Sequence, residues 1–295
     1  MGCVVCEDTG WKAIEQDGVR RMIRCDCWRE ETVRRRLAEA GIPKQYKHCD
    51  LSNFLTYPNE KLLGAVAGVK KFADAFPVVD KGLFLIGPPG IGKSHLAAAA
   101  MKQAILRTGA RGLFYPVPEL LKLIRSTYDR VARIAEMDVL RPVLEADLLV
   151  LDDLGAEKTS EWVGETLNLV VNTRYNERRA TIFTSNFEDE PPEDVYGHKD
   201  DSQQNSRPET LVERVGYRIY SRLHEMCDFL EFSGVDYRRF APPNATSDDL
   251  NNLWQQKRIT QRRNLPPRSH GPARAQLRDG RADLKWPGGR AGSQG

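Results

Sequence analysis

From about residue 58 onward, apolar positions follow two alternating patterns. Short unbroken runs read as buried strands, and apolar residues three and four apart read as helices. Leu62, Leu63, Val66, Val69 and Phe72 recur at helical spacing over 62–76. Leu83-Phe84-Leu85-Ile86 is a strand, and an alanine-rich helix follows from Leu96 to Leu106 and stops near Gly109. Leu113-Phe114-Tyr115 is a second strand and Pro118 to Tyr128 a second helix. A third strand covers Leu148 to Leu151, a long helix Glu161 to Glu177, and a fourth strand Thr181-Ile182-Phe183-Thr184. The pattern closes with one helix from Leu211 to Met226 and a short strand, Phe229-Leu230-Glu231-Phe232. Strands that alternate with helices predict an α/β fold whose parallel sheet is covered by helices on both faces.

The flanking segments read differently. The first 30 residues are compact and cysteine-rich, and 30–41 read as a short charged helix ending at Gly41, with Pro43 just beyond. Residues 188–210 hold eight acidic and two basic residues among Pro, Gly and Asn, and so read as a solvated loop. Composition sharpens the picture at the C-terminus. The net charge is +3, but 241–295 hold ten Lys/Arg against four Asp, so the tail carries +6 and the remainder −3. With almost no apolar residues after Trp254 the tail cannot bury enough surface to fold alone, and it is expected to be disordered. It serves either as a nonspecific grip on nucleic acid or as a solubilising tail. No apolar run approaches membrane-spanning length and no charged-then-apolar leader opens the chain, which predicts a cytoplasmic protein without a membrane partner.

Candidate chemistry lies at the ends of the predicted strands. Gly87-Pro88-Pro89-Gly90-Ile91-Gly92-Lys93-Ser94 fits the phosphate-loop pattern G-x-x-x-x-G-K-[ST], between a strand and a helix as the pattern requires. Glycines let the backbone point its N–H groups at a phosphate, and the helix N-terminus adds a favourable dipole. Lys93 is placed to reach the β- and γ-phosphates, Ser94 to bind Mg²⁺, and His95 adjoins the same loop. The third strand ends in Asp152-Asp153, a Walker B pattern: Asp152 to hold Mg²⁺, Asp153 to orient the attacking water. Asp153 stands where many related ATPases carry the longer Glu. Thr184-Ser185-Asn186 ends the fourth strand, where ligands of open α/β sheets sit, and Asn186 is the candidate sensor of the γ-phosphate. Arg214, Arg218 and Arg222 share one face if 211–226 is a single helix. One of them, with Arg222 preferred, would act as an arginine finger on a neighbouring subunit, against the plainer reading of a solvated basic face. Arg238, in Asp236-Tyr237-Arg238, is a candidate second sensor.

Cys3-x-x-Cys6 is followed after 18 residues by Cys25-x-Cys27. Two close pairs suit a tetrahedral four-thiolate site, and such a site supplies folding energy that so short a segment cannot draw from a core. Zinc is the favoured ion, with an iron–sulfur cluster and free thiols as alternatives. Cys49 and Cys227 stand alone and read as packing residues.

Together with Leu151-Asp152-Asp153-Leu154-Gly155-Ala156-Glu157, Phe183-Thr184-Ser185-Asn186-Phe187, Ser221-Arg222-Leu223 and Asp236-Tyr237-Arg238, the phosphate loop resembles the DnaC/DnaI helicase loaders of the AAA+ superfamily over roughly residues 40–240. The N-terminal cysteines bring it nearer the DnaI type. That resemblance implies a metal-binding module with a linker helix (1–48) that docks on the replicative DNA helicase and an AAA+ ATPase domain (49–240); the acidic 188–210 loop and the basic tail (241–295) are longer than the family pattern leads one to expect. It implies ATP and Mg²⁺ as cofactors beside Zn²⁺, a homo-oligomer when ATP is bound, and contact with single-stranded DNA near Lys122, Arg125 and Tyr128. Two alternatives share the core: a transposition helper ATPase of the IstB type, and a nucleotide-gated adaptor with little turnover.

Overall fold

In the computed structural model, residues 3–7, 9, 11–16, 19–128, 136–158, 160–189, 209–239 and 246–263 are described. The elements run β1 (Trp11–Gln16), β2 (Val19–Arg24), α1 (Asp26–Glu39), α2 (Glu60–Ala75), β3 (Gly82–Ile86), α3 (Lys93–Thr108), β4 (Gly112–Pro116) and α4 (Val117–Ser126). They continue with α5 (Glu136–Glu145), β5 (Leu148–Asp152), α6 (Glu161–Asn176), β6 (Ala180–Ser185), α7 (Leu211–Val215), α8 (Tyr217–Met226), β7 (Cys227–Glu231) and α9 (Ser247–Arg263).

Five parallel strands form one sheet in the order β4-β5-β6-β3-β7. The phosphate-loop strand β3 therefore lies inside the sheet, between β6 and β7, with the Walker B strand β5 on the far side of β6. Strand alternation divides the core in two. Leu83, Leu85, Leu148, Val150 and Ile182 face α2 and α3, while Phe84, Ile86, Leu149, Leu151 and Phe183 face the layer of α4, α5, α6 and α8. Both faces are buried, as the unbroken apolar runs require.

Three elements lie outside the expected pattern. The cysteine-rich segment holds an antiparallel hairpin, β1 with β2, in register Trp11↔Arg24 to Gln16↔Val19. Helix α5 carries Pro142 internally and buries only Val139, Leu140 and Val143, too short a stripe to read as a helix. In the stretch expected to be disordered, α9 buries Leu250 and packs Leu253 and Trp254 on the core, with the Trp254 ring 6.0 Å from Tyr57. The chain divides after Trp254, and residues 264–295 lie outside the described residues, as does most of the 188–210 loop (190–208).

The expected single helix over 211–226 is a correction: it is two helices. Gly216 adopts φ +81, a conformation costly for any residue with a Cβ. Its N–H closes α7 on the Val212 carbonyl, and its own carbonyl accepts from Tyr220 N–H to open α8. Arg214 therefore stands on a different helix from Arg218 and Arg222.

Candidate functional site: a phosphate loop facing a Walker B strand

The phosphate loop joins β3 to α3 around a cavity of about 550 Å³. Gly92 caps α3 at φ +93, and a Cβ there would lie 2.4 Å from the Phe54 ring, so only glycine serves. Pro89, Gly90, Gly92, Lys93, Ser94, His95, Asp153, Asn186 and Arg238 all line this cavity. One wall is aromatic: Tyr46, Phe54 and Tyr237, with Phe54 5.2 Å from the His95 ring and 5.5 Å from Tyr237. Sequence patterns missed this wall, because Tyr46 and Phe54 lie in a stretch without periodicity and Tyr237 joins them only through the fold.

Lys93 is 5% exposed, and its Nζ donates to Gly87 O (2.7 Å), Pro88 O (2.8 Å) and Asn186 Oδ1 (2.7 Å). Asn186 Nδ2 in turn donates to Asp153 Oδ1 at 3.0 Å. The phosphate-loop lysine, the sensor asparagine and the second Walker B carboxylate thus form one chain of contacts. Asp152 is 4% exposed; it accepts from the Thr184 hydroxyl at 2.6 Å and also interacts with the Ser94 hydroxyl. Burial pushes the Asp152 carboxyl up, and these hydroxyls work against that shift. Thr184 Oγ1 also accepts from Asp153 N–H (2.9 Å), holding Asp153 at φ +58, a left-handed conformation that Asp tolerates better than most residues.

Two predicted residues sit differently. His95 turns its Nε2 to Asp50 O (3.2 Å) and Asn53 Oδ1 (3.1 Å), bracing the 50–53 segment at the cavity edge. Arg222 is not among the cavity-lining residues of its own subunit; its Nη1 donates to Arg218 O on α8 at 3.1 Å.

Burial pushes the Lys93 ammonium down to about 8. Bound phosphates would favour the charged form and raise it again, so binding takes up a proton above pH 8. Nucleotide affinity should therefore be flat below pH 8 and fall above it, by up to ~tenfold per pH unit. Titration of a fluorescent ATP analogue between pH 7 and 9.5 checks this; no loss of affinity up to pH 9.5 would contradict it.

The second cluster is the cysteine module. The Sγ atoms of Cys3, Cys6, Cys25 and Cys27 all lie within 4.8 Å of one another, with Cys6 and Cys25 buried. Cys6 Sγ is 3.2 Å from Cys27 Sγ, and Cys3 Sγ is 3.8 Å from Cys25 Sγ. Thiolates ~2.3 Å from one tetrahedral ion stand about 3.8 Å apart, so the four sulfurs fit a single zinc ion. They crowd round one point and leave no room for irons and bridging sulfides. Backbone hydrogen bonding from Cys6 and Val5 draws the Cys3 thiol down to about 7, while contact with Cys6 pushes Cys27 up.

Residues 29–202 match the family of IstB-like ATP-binding proteins. The chain belongs to that family. The four clustered cysteines and the β1–β2 hairpin lie before the matched region and α7 and α8 after it. The replicative helicase loader DnaC of Buchnera aphidicola (subsp. Acyrthosiphon pisum) is 26% identical over 168 residues, 57% of this chain and 67% of that relative. Other curated relatives are matched over as little as 53% of their length. A crystal structure of the DnaC helicase loader superposes with a TM-score of 0.53 at 29% identity, covering 65% of this chain and all of that one. A crystal structure of DnaI shares the fold at 24% identity, with a TM-score of 0.50 over 65% of this chain and 94% of its own. The likeness to AAA+ helicase loaders expected from the motifs is thus found in relatives and in structures. No helix among the described residues is long and apolar enough to cross a membrane.

Proposed function

We propose that this protein is an ATP-dependent loader of the replicative DNA helicase onto single-stranded DNA. The observation that carries the ATPase part is the Lys93–Asn186–Asp153 chain beside Ser94 and the buried Asp152. The helicase as client is carried over from the DnaC relatives.

In this reading ATP enters the cavity with its base against Tyr46, Phe54 and Tyr237 and its phosphates on the loop 87–94. Lys93 exchanges the Gly87 and Pro88 carbonyls for phosphate oxygens. Ser94 and Asp152 hold Mg²⁺, which neutralises charge on the phosphates. Asp153, fixed by Asn186, orients the water that attacks the γ-phosphate, and Arg238 contacts the phosphates from the cavity rim. Arg222 reaches the neighbouring subunit's nucleotide in an ATP-bound homo-oligomer. Asp153 in place of Glu, shorter by one methylene, makes turnover slow.

The cysteine module (1–48) holds Zn²⁺ on Cys3, Cys6, Cys25 and Cys27 and docks on the helicase. It exposes Trp11 (43%), Met22 (60%) and Trp28 (47%), apolar side chains available to a partner surface. Single-stranded DNA runs past α4, where Arg125 lies 4.6 Å over the Trp162 ring and Lys122 lines a neighbouring cleft with Arg125. Tyr128 packs edge-on to the same Trp162, 6.3 Å away. The domain limits 49–240 and 241–295, and a cytoplasmic location, belong to the same reading.

ATP turnover with and without single-stranded DNA separates loader from adaptor: DNA-stimulated turnover supports the loader, and stoichiometric binding without turnover would leave an adaptor. Cys25→Ser should release the zinc and unfold the β1–β2 hairpin while α2 to β7 stay folded. Zinc content and hydrogen exchange over 11–24 check this; retained zinc would refute the four-thiolate site.

A further inference from the structure

Of the three arginines, Arg214 alone is committed to the back of the nucleotide site. Its Nε donates to Gly155 O at 2.8 Å, and its Nη2 to Ala156 O at 3.3 Å and Glu157 O at 3.1 Å. Its Nη1 pairs with Glu209 Oε2 at 3.0 Å, and the guanidinium lies 5.0 Å from the Phe187 ring centre. The side chain is only 15% exposed. Residues 155–157 follow the Asp152-Asp153 pair with only Leu154 between, and Phe187 immediately follows Asn186.

The two strand ends that Arg214 grips are also tied to each other. Leu154 N–H donates to Thr184 O at 2.8 Å, and Ser185 Oγ donates to Leu154 O at 2.9 Å while accepting from Phe187 N–H at 3.2 Å. The Phe187 ring packs on Gly155, 3.0 Å from where a Cβ would stand. Helix α7 itself is fixed by a capping box between Thr210 and Glu213. A rigid fork of five donors can span three carbonyls and a carboxylate at once; a lysine ammonium cannot.

We propose that Arg214 is a positioning residue that acts within its own subunit. It locks the β5 end carrying Asp152 and Asp153 and the β6 end carrying Asn186 in the register that water attack on the γ-phosphate needs. It is not the arginine delivered to a neighbour. This rests on the ATPase reading above.

The test measures ATP turnover and fluorescent-nucleotide affinity for the wild type, Arg214→Ala, Arg214→Lys and Arg222→Ala, each alone and mixed with Lys93→Ala. Arg214→Ala should lower kcat by roughly tenfold or more with nucleotide affinity kept within about threefold, because the binding loop is untouched while the attack geometry is not. Arg214→Lys, which keeps charge and volume, should recover little of kcat and guards against a variant that merely fails to fold. Mixing with Lys93→Ala should not rescue Arg214→Ala, since neither subunit then holds a complete site, but should partly rescue Arg222→Ala. Wild-type kcat in both Arg214 variants, or rescue of Arg214→Ala by mixing, would overturn the proposal alone. Absence of turnover in the wild type would instead overturn the ATPase reading, and the proposal with it.

Discussion

Lys93→Ala should abolish ATP hydrolysis and weaken nucleotide binding by at least ~100-fold. The ammonium is the cationic group closest to the expected phosphates and makes three hydrogen bonds from a nearly buried position. Charge-assisted bonds in a dry site contribute roughly 1.5–3 kcal/mol each, so exchanging them for phosphate contacts and then losing two or more accounts for a change of that size. The same substitution leaves the Asn186–Asp153 contact in place, so the fold should be little affected. Calorimetric titration with a non-hydrolysable ATP analogue, beside a melting curve, reads both. Full affinity in Lys93→Ala would mean that the loop does not hold phosphate.

The largest expected effect on stability lies outside the site. Arg174 on α6 is 1% exposed and donates to Val143 O, Leu144 O and Ala146 O at 2.9–3.1 Å, to Ala180 O at 2.6 Å and to Thr181 Oγ1 at 2.8 Å. The first two carbonyls belong to the last turn of α5, which has no intrahelical partners for them, and Ala180 opens β6. One guanidinium therefore satisfies the end of a helix and the start of a strand together. Burial pulls it down to about 9, still well above neutrality, so it is charged and its acceptors gain accordingly. Arg174→Ala would leave several buried carbonyls without donors, at ~1–3 kcal/mol each before relaxation and water entry, and about 4 kcal/mol overall is expected. Denaturant unfolding measures it, and a loss under about 1 kcal/mol would show that the carbonyls find other partners.

Arg174 also shows where sequence reading stops. In one dimension it is a cation near a helix end, indistinguishable from the exposed Arg178 or the half-buried Arg179 nearby. Its role depends on α5, which the pattern did not reveal because Pro142 interrupts it and only three residues are buried. By contrast, β3, β5 and β6 were legible because a strand buried on both faces needs an unbroken apolar run, whereas the edge strand β7, which exposes Asp228 and Glu231, reads two residues late as 229–232. The phosphate loop and Asp152-Asp153 were legible because their chemistry is local in sequence. The contacts joining Lys93, Asn186 and Asp153 span up to 93 residues and follow only from the strand order. The break at Gly216 was visible as a glycine, but helices tolerate single glycines, and nothing local in the sequence sets its φ of +81. Helix α9 escaped notice because Leu250, Leu253 and Trp254 form one small patch in an otherwise polar run.

The measurement that decides most is capture of the replicative helicase of the same cell by this protein, with ATP, ADP or no nucleotide, for the full chain and for a chain lacking residues 1–48. Stable capture that changes with the nucleotide and is lost without residues 1–48 is the result a helicase loader with a cysteine docking module requires. Absence of capture in every nucleotide state would contradict the loader reading, leaving an ATP-binding protein of the IstB-like family whose client must be sought among transposases.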